Sequence, residues 1–174
     1  MGVTLEDFAW TSRLDLLGDD FDRQGHLNNA AIARLCNDLR VAYIQANIGA
    51  PWIEWLRNSG AVVAAREVHI SYVSEGFPGE EFVGATRITR RDGRAAIVEQ
   101  RIVEAVSGRV VADAWVVQLL VLDGQVVDWP AFYWDLVERA EGRPVPYRIS
   151  VPRPPWGPPA WESIVDPSAR DVDR

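Results

Sequence analysis

The chain has 174 residues, and its 48% apolar and 25% charged residues are typical of one soluble globular domain. Its net charge of −7 argues against a general nucleic-acid-binding protein, because affinity for phosphates requires concentrated positive charge. All 18 basic residues are arginines, which excludes lysine-dependent catalysis, and the one cysteine excludes an intrachain disulfide and a cysteine-rich metal site.

No apolar run approaches the roughly 20 residues that a membrane span requires, and the N-terminus lacks the basic-then-apolar pattern of a signal peptide. We therefore predict a cytoplasmic protein with no membrane partner and no nucleic-acid partner. No cluster of His, Cys and Asp has metal-ligand spacing, so the sequence also predicts no metal site.

The first half of the chain predicts one strand followed by a long helix. Residues 9–16 alternate between apolar and polar side chains, which is typical of a half-buried strand. A polar loop follows, and then six apolar residues recur at helical spacing. We expect this helix to be buried, to end near Gly49 and Pro51, and to be followed by a short helical turn at 52–58. The six residues are Ile32, Leu35, Cys36, Leu39, Tyr43 and Ala46.

The next part of the chain predicts four strands, because alternating segments are separated by turn residues. Asp92-Gly93 lies between two of these segments and is a strong hairpin signal. We expect the four strands to form an antiparallel meander, since short turns join each strand to the next. One strand, a buried helix and then a meander predict an α+β fold. The predicted strands lie near residues 62–74, 81–91, 94–106 and 109–122.

The last part of the chain changes character. Residues 130–141 predict an amphipathic helix with a proline at its first position. Beyond Gly142 proline and tryptophan become frequent, so we expect extended chain there. The sequence therefore predicts one domain over residues 1–142 and a Pro/Trp-rich C-terminal extension over residues 143–174. We expect the segment 144–161 to dock against the folded body; the opposing interpretation is a linker that ends in a disordered tail.

The stretch before the central helix concentrates polar and small residues at the place where a helix begins. Helix N-termini carry unpaired N–H groups and a partial positive charge, so they can stabilise a developing oxyanion. A carboxylate held just upstream can attack the polarised group or activate a water molecule. The residues of this stretch are Asp20, Asp22, Gly25, His26, Asn28 and Asn29.

Their spacing resembles the D-x-D-x-x-G-H-x-N-N signature of hotdog-fold acyl-CoA thioesterases of the 4-hydroxybenzoyl-CoA thioesterase type, and all six residues match. Further along, the segment that contains Asp38 and Arg40 resembles the E-E-A-R stretch of that family. Two positions differ, because Ile32 stands where the family usually has Tyr and Asn37 stands where it has the first Glu. The resemblance covers roughly residues 8–125 and is specific in this one motif.

The resemblance implies a hotdog fold, in which an antiparallel sheet wraps around a long central helix. It also implies a thioesterase that hydrolyses an acyl-CoA or acyl-carrier thioester to free acid and thiol. No cofactor is expected, since CoA would enter as part of the substrate. In that family two sheets join edge to edge with the active sites between subunits, which implies a homodimer or homotetramer here.

The resemblance places the catalytic carboxylate at Asp22, as base or nucleophile, and a turn-capping role is the alternative. Gly25 could let the substrate carbonyl approach its own N–H or its neighbour's, or could serve as a positive-φ turn residue. His26 could hydrogen-bond Asp22, orient the substrate or tie the loop together. Asn28 and Asn29 are candidate substrate contacts and also candidate helix N-caps.

Three further side chains have competing interpretations. Asp20 could raise the pKa of Asp22 by like-charge coupling, but we expect it to be solvated. Asp38 is a reserve candidate for the catalytic carboxylate, and an i,i+4 pair with Arg34 is the simpler interpretation. Cys36 lies on the apolar face of the helix, so we expect it to pack rather than to act as a nucleophile.

Two other functions remain open from the sequence. A hotdog dehydratase or hydratase would use Asp22 and His26 for proton transfer on the acyl chain of a thioester. A non-catalytic acyl-binding protein is the other, since Ile32 replaces the family Tyr and the tail is unusual. Trp52 and Trp55, just past the long helix, could wall an acyl pocket.

Overall fold

A computed structural model describes residues 4–148 of the chain, which fold into one sheet with three helices. Short 3₁₀ turns lie at Leu5–Asp7 and Gly18–Asp20, and a π-helical segment lies at Ile44–Ile48. The helices are α1 (Asn29–Tyr43), α2 (Ala50–Ser59) and α3 (Ala131–Glu141). The strands are β1 (Thr11–Arg13), β2 (Val62–Tyr72), β3 (Phe82–Asp92), β4 (Ala95–Glu104), β5 (Val110–Leu122), β6 (Gln125–Val127) and β7 (Tyr147–Arg148).

The strand order is β1-β3-β4-β5-β2, with β6 paired to β5 and β7 paired in parallel to β3. Strands β3, β4 and β5 form the predicted antiparallel meander. The prediction that β2 continues this meander is wrong, because β2 pairs with β5 at the far edge of the sheet. The link between β2 and β3, residues 73–81, is longer than a tight hairpin turn, so the chain can cross to the other side of the sheet.

Helix α1 is buried against the sheet, as its apolar spacing predicts. Ile32, Leu35 and Leu39 are each at most 3% exposed and lie in one apolar cluster with residues of the sheet. A Cβ at Gly84 of β3 would clash with the Leu39 side chain, so the missing side chain lets α1 lie close to this strand. Gly49, at φ +76°, ends the helical run and begins α2.

Three elements differ in detail from the sequence prediction. The strand expected over residues 9–16 is limited to three residues, Thr11–Arg13. The short helical turn expected at 52–58 is a ten-residue helix, α2, and Pro51 lies in its first turn rather than after the end of α1. The proline expected at the first position of the last helix, Pro130, is its N-cap residue. No helix in residues 4–148 combines the length and the apolar character that crossing a membrane would require.

Side chains on the two faces of the sheet meet different neighbours. All three helices pack on one face, here called the inner face, where Trp52 of α2 and Tyr133 of α3 lie 4.5 Å apart between ring centroids. On the opposite, outer face, Ala95, Ile97, Trp115 and Val117 form a separate buried group.

Only part of the predicted C-terminal extension belongs to the described residues. Val145 is buried in the inner-face core, and β7 pairs with the end of β3, so the segment begins by packing against the body. Residues 149–174 lie outside the described residues. The docking expected for that part, and the boundary at residue 142, stay predictions.

A buried carboxylate joins α3 to the rest of the core. Glu141 Oε1 accepts hydrogen bonds from the Tyr43 hydroxyl of α1 and from the Ile88 N–H of β3, the latter at 2.7 Å. Burial raises the pKa of Glu141 above its ordinary value, although both hydrogen bonds oppose that shift. The carboxyl group therefore holds three elements together.

Replacing Glu141 tests this junction. Glu141→Ala leaves the Tyr43 hydroxyl and the Ile88 N–H without their acceptor, so we expect a loss of about 1–3 kcal/mol for each group in urea unfolding. Glu141→Gln retains an amide oxygen for both donors and is the matched control. Because a raised pKa stabilises the folded state at low pH, wild-type stability should fall as the pH rises above about 4.3, and Glu141→Gln should lack this component. Equal stability of the alanine variant and wild type would contradict the assignment.

Candidate active site

The loop before α1 closes on itself through its backbone. The N–H of Asp22 donates to the carbonyl of His26 at 2.8 Å, and the N–H of Gly25 donates to the carbonyl of Asp22 at 3.0 Å. Gly25 has φ +79°, a conformation that favours glycine, and a Cβ there would meet no other atom within 4 Å. The predicted positive-φ turn role of Gly25 is therefore confirmed.

The Asp22 carboxylate is exposed and organises this turn. Its Oδ1 accepts the N–H of Gln24 at 2.8 Å and the N–H of His26 at 3.0 Å, which is the turn-capping role. The hydrogen bond from the His26 N–H has the largest effect and lowers the pKa of Asp22; together with the smaller contribution of the Gln24 N–H it outweighs desolvation, which acts in the opposite direction. The carboxylate is therefore ionised at neutral pH. The N–H groups of Gly25 and His26 already donate within the loop, so neither is free for a substrate carbonyl in this conformation.

Asp20 is buried, and the expectation that it is solvated is wrong. Its residue exposure is 5%, and its Oδ2 accepts from the Leu17 N–H at 2.7 Å and from the Arg34 guanidinium of α1 at 2.6 Å. Burial disfavours the ionised form, but these two donors outweigh it and lower the pKa of Asp20. Its carbonyl also accepts the N–H of Asn28 at 2.9 Å, so Asp20 ties the loop to the start of the helix.

The two asparagines mark the N-terminus of α1. Asn28 is the N-cap, and its side-chain oxygen accepts the Ala31 N–H at 2.8 Å. Asn29 is the first helical residue and is exposed. Within residues 4–148 no hydrogen bond engages the backbone N–H of Asn29 or Ala30, so both can donate to a ligand at the positive end of the helix.

The His26 side chain contacts the link after β2 rather than the Asp22 carboxylate. Its Nδ1 lies 3.5 Å from Glu75 Oε1, and its ring meets the Phe77 ring edge to face at 5.4 Å between centroids. The hydrogen bond that joins His26 to the Asp22 side chain comes from the backbone instead.

A cleft of about 450 Å³ brings most of the predicted residues together. Four of the six motif residues, Asp22, His26, Asn28 and Asn29, line it, whereas Gly25 and Asp20 hold the loop behind it. Sequence reasoning missed the opposite wall, because the link after β2 carries no recognisable motif and reaches the loop only through the fold. The remaining lining residues are Leu27, Ile32, Tyr72, Val73, Ser74 and Glu75.

A second cavity, of about 330 Å³, is lined mainly by residues of α1, α2 and β2. Trp52 lines it, whereas Trp55 is absent from the lining and stacks on Trp52 at 5.2 Å between ring centroids; the acyl-pocket role of either residue stays a prediction. Six of its twelve lining residues are aliphatic, two are aromatic and four are polar or charged. Its other lining residues are Asn37, Arg40, Val41, Ile44, Gln45, Ile53, Leu56, Val63, Ala65, Gln118 and Tyr133.

Two further side chains of α1 behave as expected from their positions. Asp38 is exposed and pairs with Arg34 at 2.8 Å, so the i,i+4 interpretation is confirmed. Cys36 is 1% exposed, and burial raises the pKa of its thiol to about 11, which keeps it protonated at neutral pH. In the part of the chain that the structure describes, no three His, Cys, Asp or Glu side chains are grouped to bind a metal ion.

Comparison with known proteins agrees with the family resemblance of the loop motif. A sequence model described as the thioesterase-like superfamily matches residues 16–137. No curated protein matches the chain in sequence. A thioesterase from Thermus thermophilus, complexed with coenzyme A and Zn, is 21% identical with a TM-score of 0.70, over 80% of this chain and 99% of that one.

Two further solved structures are similar. A 1,4-dihydroxy-2-naphthoyl-CoA thioesterase from Synechocystis is 13% identical with a TM-score of 0.64, over 73% of this chain and 93% of that one. A 4-hydroxybenzoyl-CoA thioesterase with one Asp-to-Asn substitution, complexed with 4-hydroxybenzoyl-CoA, is 16% identical with a TM-score of 0.67, over 74% and 97%. Together with the superfamily match, these similarities confirm the predicted α+β hotdog fold and the resemblance seen in the motif.

The two acidic partners of Arg34 allow a test of what holds the loop. Asp20→Ala removes a buried acceptor of the Leu17 N–H and of Arg34, and we expect it to destabilise the protein by about 1–3 kcal/mol. Asp38→Ala removes the exposed partner of the same arginine and should change stability by at most about 0.5 kcal/mol. Urea unfolding of both variants measures the difference. Equal effects would mean that Asp20 does not anchor the loop.

Proposed function

Because this chain belongs to the thioesterase-like superfamily, we propose that it hydrolyses an acyl-CoA or acyl-carrier thioester in the cytoplasm, with Asp22 as base or nucleophile. The observation that carries the proposal is that the Asp22 carboxylate and the N-terminus of α1 line one exposed cleft. The carboxylate is ionised at neutral pH and is therefore ready to act in either role.

The start of α1 supports the proposal electrostatically. Attack on a thioester carbonyl places negative charge on its oxygen, and a helix N-terminus stabilises such charge through unpaired N–H groups and the helix dipole. The N–H groups of Asn29 and Ala30 are the donors that the loop leaves available. Gly25 contributes the turn that aims Asp22, while Asn28 caps the helix and holds those donors in position.

An edge-to-edge dimer would join the two cavities. Strand β2 is a sheet edge whose Val68 and Tyr72 are 50% and 48% exposed, and proteins usually cover such edges. Two-fold pairing of β2 with its copy is antiparallel, so the end of one β2 would lie beside the start of the other. Tyr72 at the end lines the Asp22 cleft, whereas Val63 and Ala65 near the start line the second cavity.

The proposed active site is therefore composite. The cleft with Asp22 from one subunit would face the aliphatic cavity with Trp52 from its partner, so that the acyl group enters the partner's cavity while the carbonyl stays at α1. The second cavity, of about 330 Å³, has eight aliphatic or aromatic lining residues beside four polar or charged ones, which supports its proposed role in holding a largely hydrophobic acyl group. CoA or the carrier arm is released as the thiol, so no resident cofactor is required.

A second candidate function rests on one observation. His26 and Glu75 form a histidine–carboxylate pair at 3.5 Å in the same cleft, an arrangement suited to the proton transfers of a dehydratase or hydratase. The two activities differ in product, because hydrolysis releases a free thiol whereas hydration of an enoyl thioester does not. A thiol-release assay beside an enoyl-absorbance assay on one acyl-CoA panel separates them.

Removing the charge at position 22 tests the catalytic assignment. Asp22→Asn keeps an oxygen that can accept the N–H groups of Gln24 and His26, so the fold should persist. We expect thiol release to fall by about 10²–10⁴-fold, the usual effect of losing a general base. Asp19→Asn, at an exposed carboxylate of the same loop, is the control and should retain activity.

Near wild-type hydrolysis by Asp22→Asn would contradict the assignment. Asp38→Asn then becomes the next variant to assay, since Asp38 is the exposed carboxylate within α1.

Subunit complementation tests the composite site. Ile53→Trp fills the second cavity and Asp22→Asn disables the cleft, so each homodimer should be inactive. When both chains are co-expressed, half of the dimers are mixed and each mixed dimer regains one of two sites, which predicts about a quarter of wild-type activity. Glu54→Trp, an exposed neighbour on α2 that does not line the cavity, is the control and should be active alone.

No recovery in the mixed sample would mean that both halves of the site lie in one subunit. A monomeric mass in light scattering would also remove the composite site, while the assignment of Asp22 would stand or fall by its own variant.

A further inference from the structure

The wall of the second cavity carries charge of one sign. Among residues 4–148, Arg40 of α1 is the one charged residue that lines it, and no Asp or Glu does so. Three neutral amide side chains, Asn37, Gln45 and Gln118, complete the polar part of the wall. Because the chain carries a net charge of −7, its composition does not explain a cavity whose only charge is positive.

The Arg40 guanidinium donates only to neutral acceptors in the described part of the chain. Its Nη1 donates to a carbonyl of its own helix at 3.2 Å and to Gln100 Oε1 at 3.1 Å, and its Nη2 donates to Asn37 Oδ1 at 3.1 Å. The neighbouring carboxylate, Asp38, pairs with Arg34 instead. Within residues 4–148, Arg40 therefore has no ion pair, and its Nε–H and one Nη2–H have no acceptor.

Two other partly buried arginines show how this protein pairs such a group. Arg101 binds both carboxylate oxygens of Asp113, through Nε at 2.7 Å and Nη2 at 2.8 Å. Arg87 binds Glu99 through the same two nitrogens, at 3.1 Å and 2.7 Å. This side of a guanidinium matches the geometry of a carboxylate. On Arg40 the same side holds one amide oxygen at Nη2, so it can still accept a carboxylate.

The partial burial of Arg40 favours an anionic ligand. Desolvation lowers the pKa of Arg40, against smaller opposing effects of Cys36 and Asp38, although a guanidinium stays protonated. An anion stabilises a partly desolvated cation more strongly than an exposed one. The eight aliphatic or aromatic residues of the cavity suit a carbon chain better than the hydrated phosphates of CoA. The ligand should therefore combine an apolar chain with an anionic end.

We propose that the second cavity selects acyl groups that end in a carboxylate, which Arg40 binds through Nε and Nη2. The substrates are then thioesters of one carboxyl group of a dicarboxylic acid. In the composite site the thioester lies at α1 of one subunit, and the free carboxylate reaches Arg40 of the partner subunit. This substrate class rests on the proposed hydrolysis at Asp22. Arg40 determines specificity and takes no part in cleaving the thioester.

Binding of CoA thioethers, which cannot be hydrolysed, tests the substrate class separately from the reaction. Calorimetric titration of the full-length chain compares S-carboxyalkyl-CoA with S-alkyl-CoA of equal carbon number, across a series of chain lengths. Because both ligands carry the same CoA, the ratio of their dissociation constants isolates the terminal carboxylate. At the chain length that fits, we expect wild type to bind the carboxylated ligand about 10–100-fold more tightly.

Two variants of the cavity wall should remove this preference. Arg40→Met keeps an apolar side chain but loses the charge and the N–H groups. Asn37→Asp puts a carboxylate where an amide oxygen already accepts from Arg40 Nη2, so it neutralises the arginine and keeps its hydrogen bonds. Each variant should bring the ratio of dissociation constants close to unity. Asn58→Asp adds the same charge at an exposed position of α2 outside the cavity, and this control should keep the wild-type ratio.

Three results would overturn the proposal. Equal affinity of wild type for the two ligands at every chain length would mean that no terminal carboxylate binds at Arg40. A preference that persists in Arg40→Met and Asn37→Asp would place the carboxylate elsewhere. Equal weakening of both ligands in Arg40→Met would assign Arg40 to a phosphate of CoA. Absence of thiol release from every acyl-CoA would instead contradict the proposed hydrolysis, and the binding ratio would still decide what the cavity holds.

Discussion

The geometry of the candidate site depends on the buried carboxylate of Asp20. One of its oxygens accepts the Leu17 N–H and the Arg34 guanidinium, while its backbone carbonyl accepts the N–H of Asn28. These bonds fasten both ends of the loop to the first turns of α1. These contacts hold Asp22 at the cleft. The loop N–H groups donate to Oδ1 of the Asp22 carboxylate, so within residues 4–148 the other oxygen, Oδ2, is available for chemistry.

Local patterns predicted the parts of the site that lie close together in sequence. The spacing of the six motif residues located the loop and the start of α1, because turn residues, an N-cap and an apolar stripe act within a few residues of one another. The burial of Asp20 was not predictable in this way. Its partner Arg34 lies 14 residues away and comes into reach only after the loop folds back on the helix.

The same limit applies to the sheet. Asp92-Gly93 correctly marked the β3–β4 hairpin, since that turn is decided by two residues. The crossing of β2 to pair with β5 depends on which edge the finished sheet offers, and no short pattern records it. The wall of the cleft formed by Tyr72 and Glu75 follows from that crossing, so sequence reasoning missed it for the same reason.

The most direct test of the proposed site is a crystal structure of Asp22→Asn with a bound acyl-CoA. We expect the thioester carbonyl carbon about 3–3.5 Å from the side chain at position 22 if Asp22 is the nucleophile, or separated from it by one water molecule if Asp22 is the base. Its oxygen should point toward the N–H groups of Asn29 and Ala30, and the acyl group should enter the cavity beside Trp52 of the partner subunit. An acyl-CoA bound with its thioester away from the start of α1 would contradict the account.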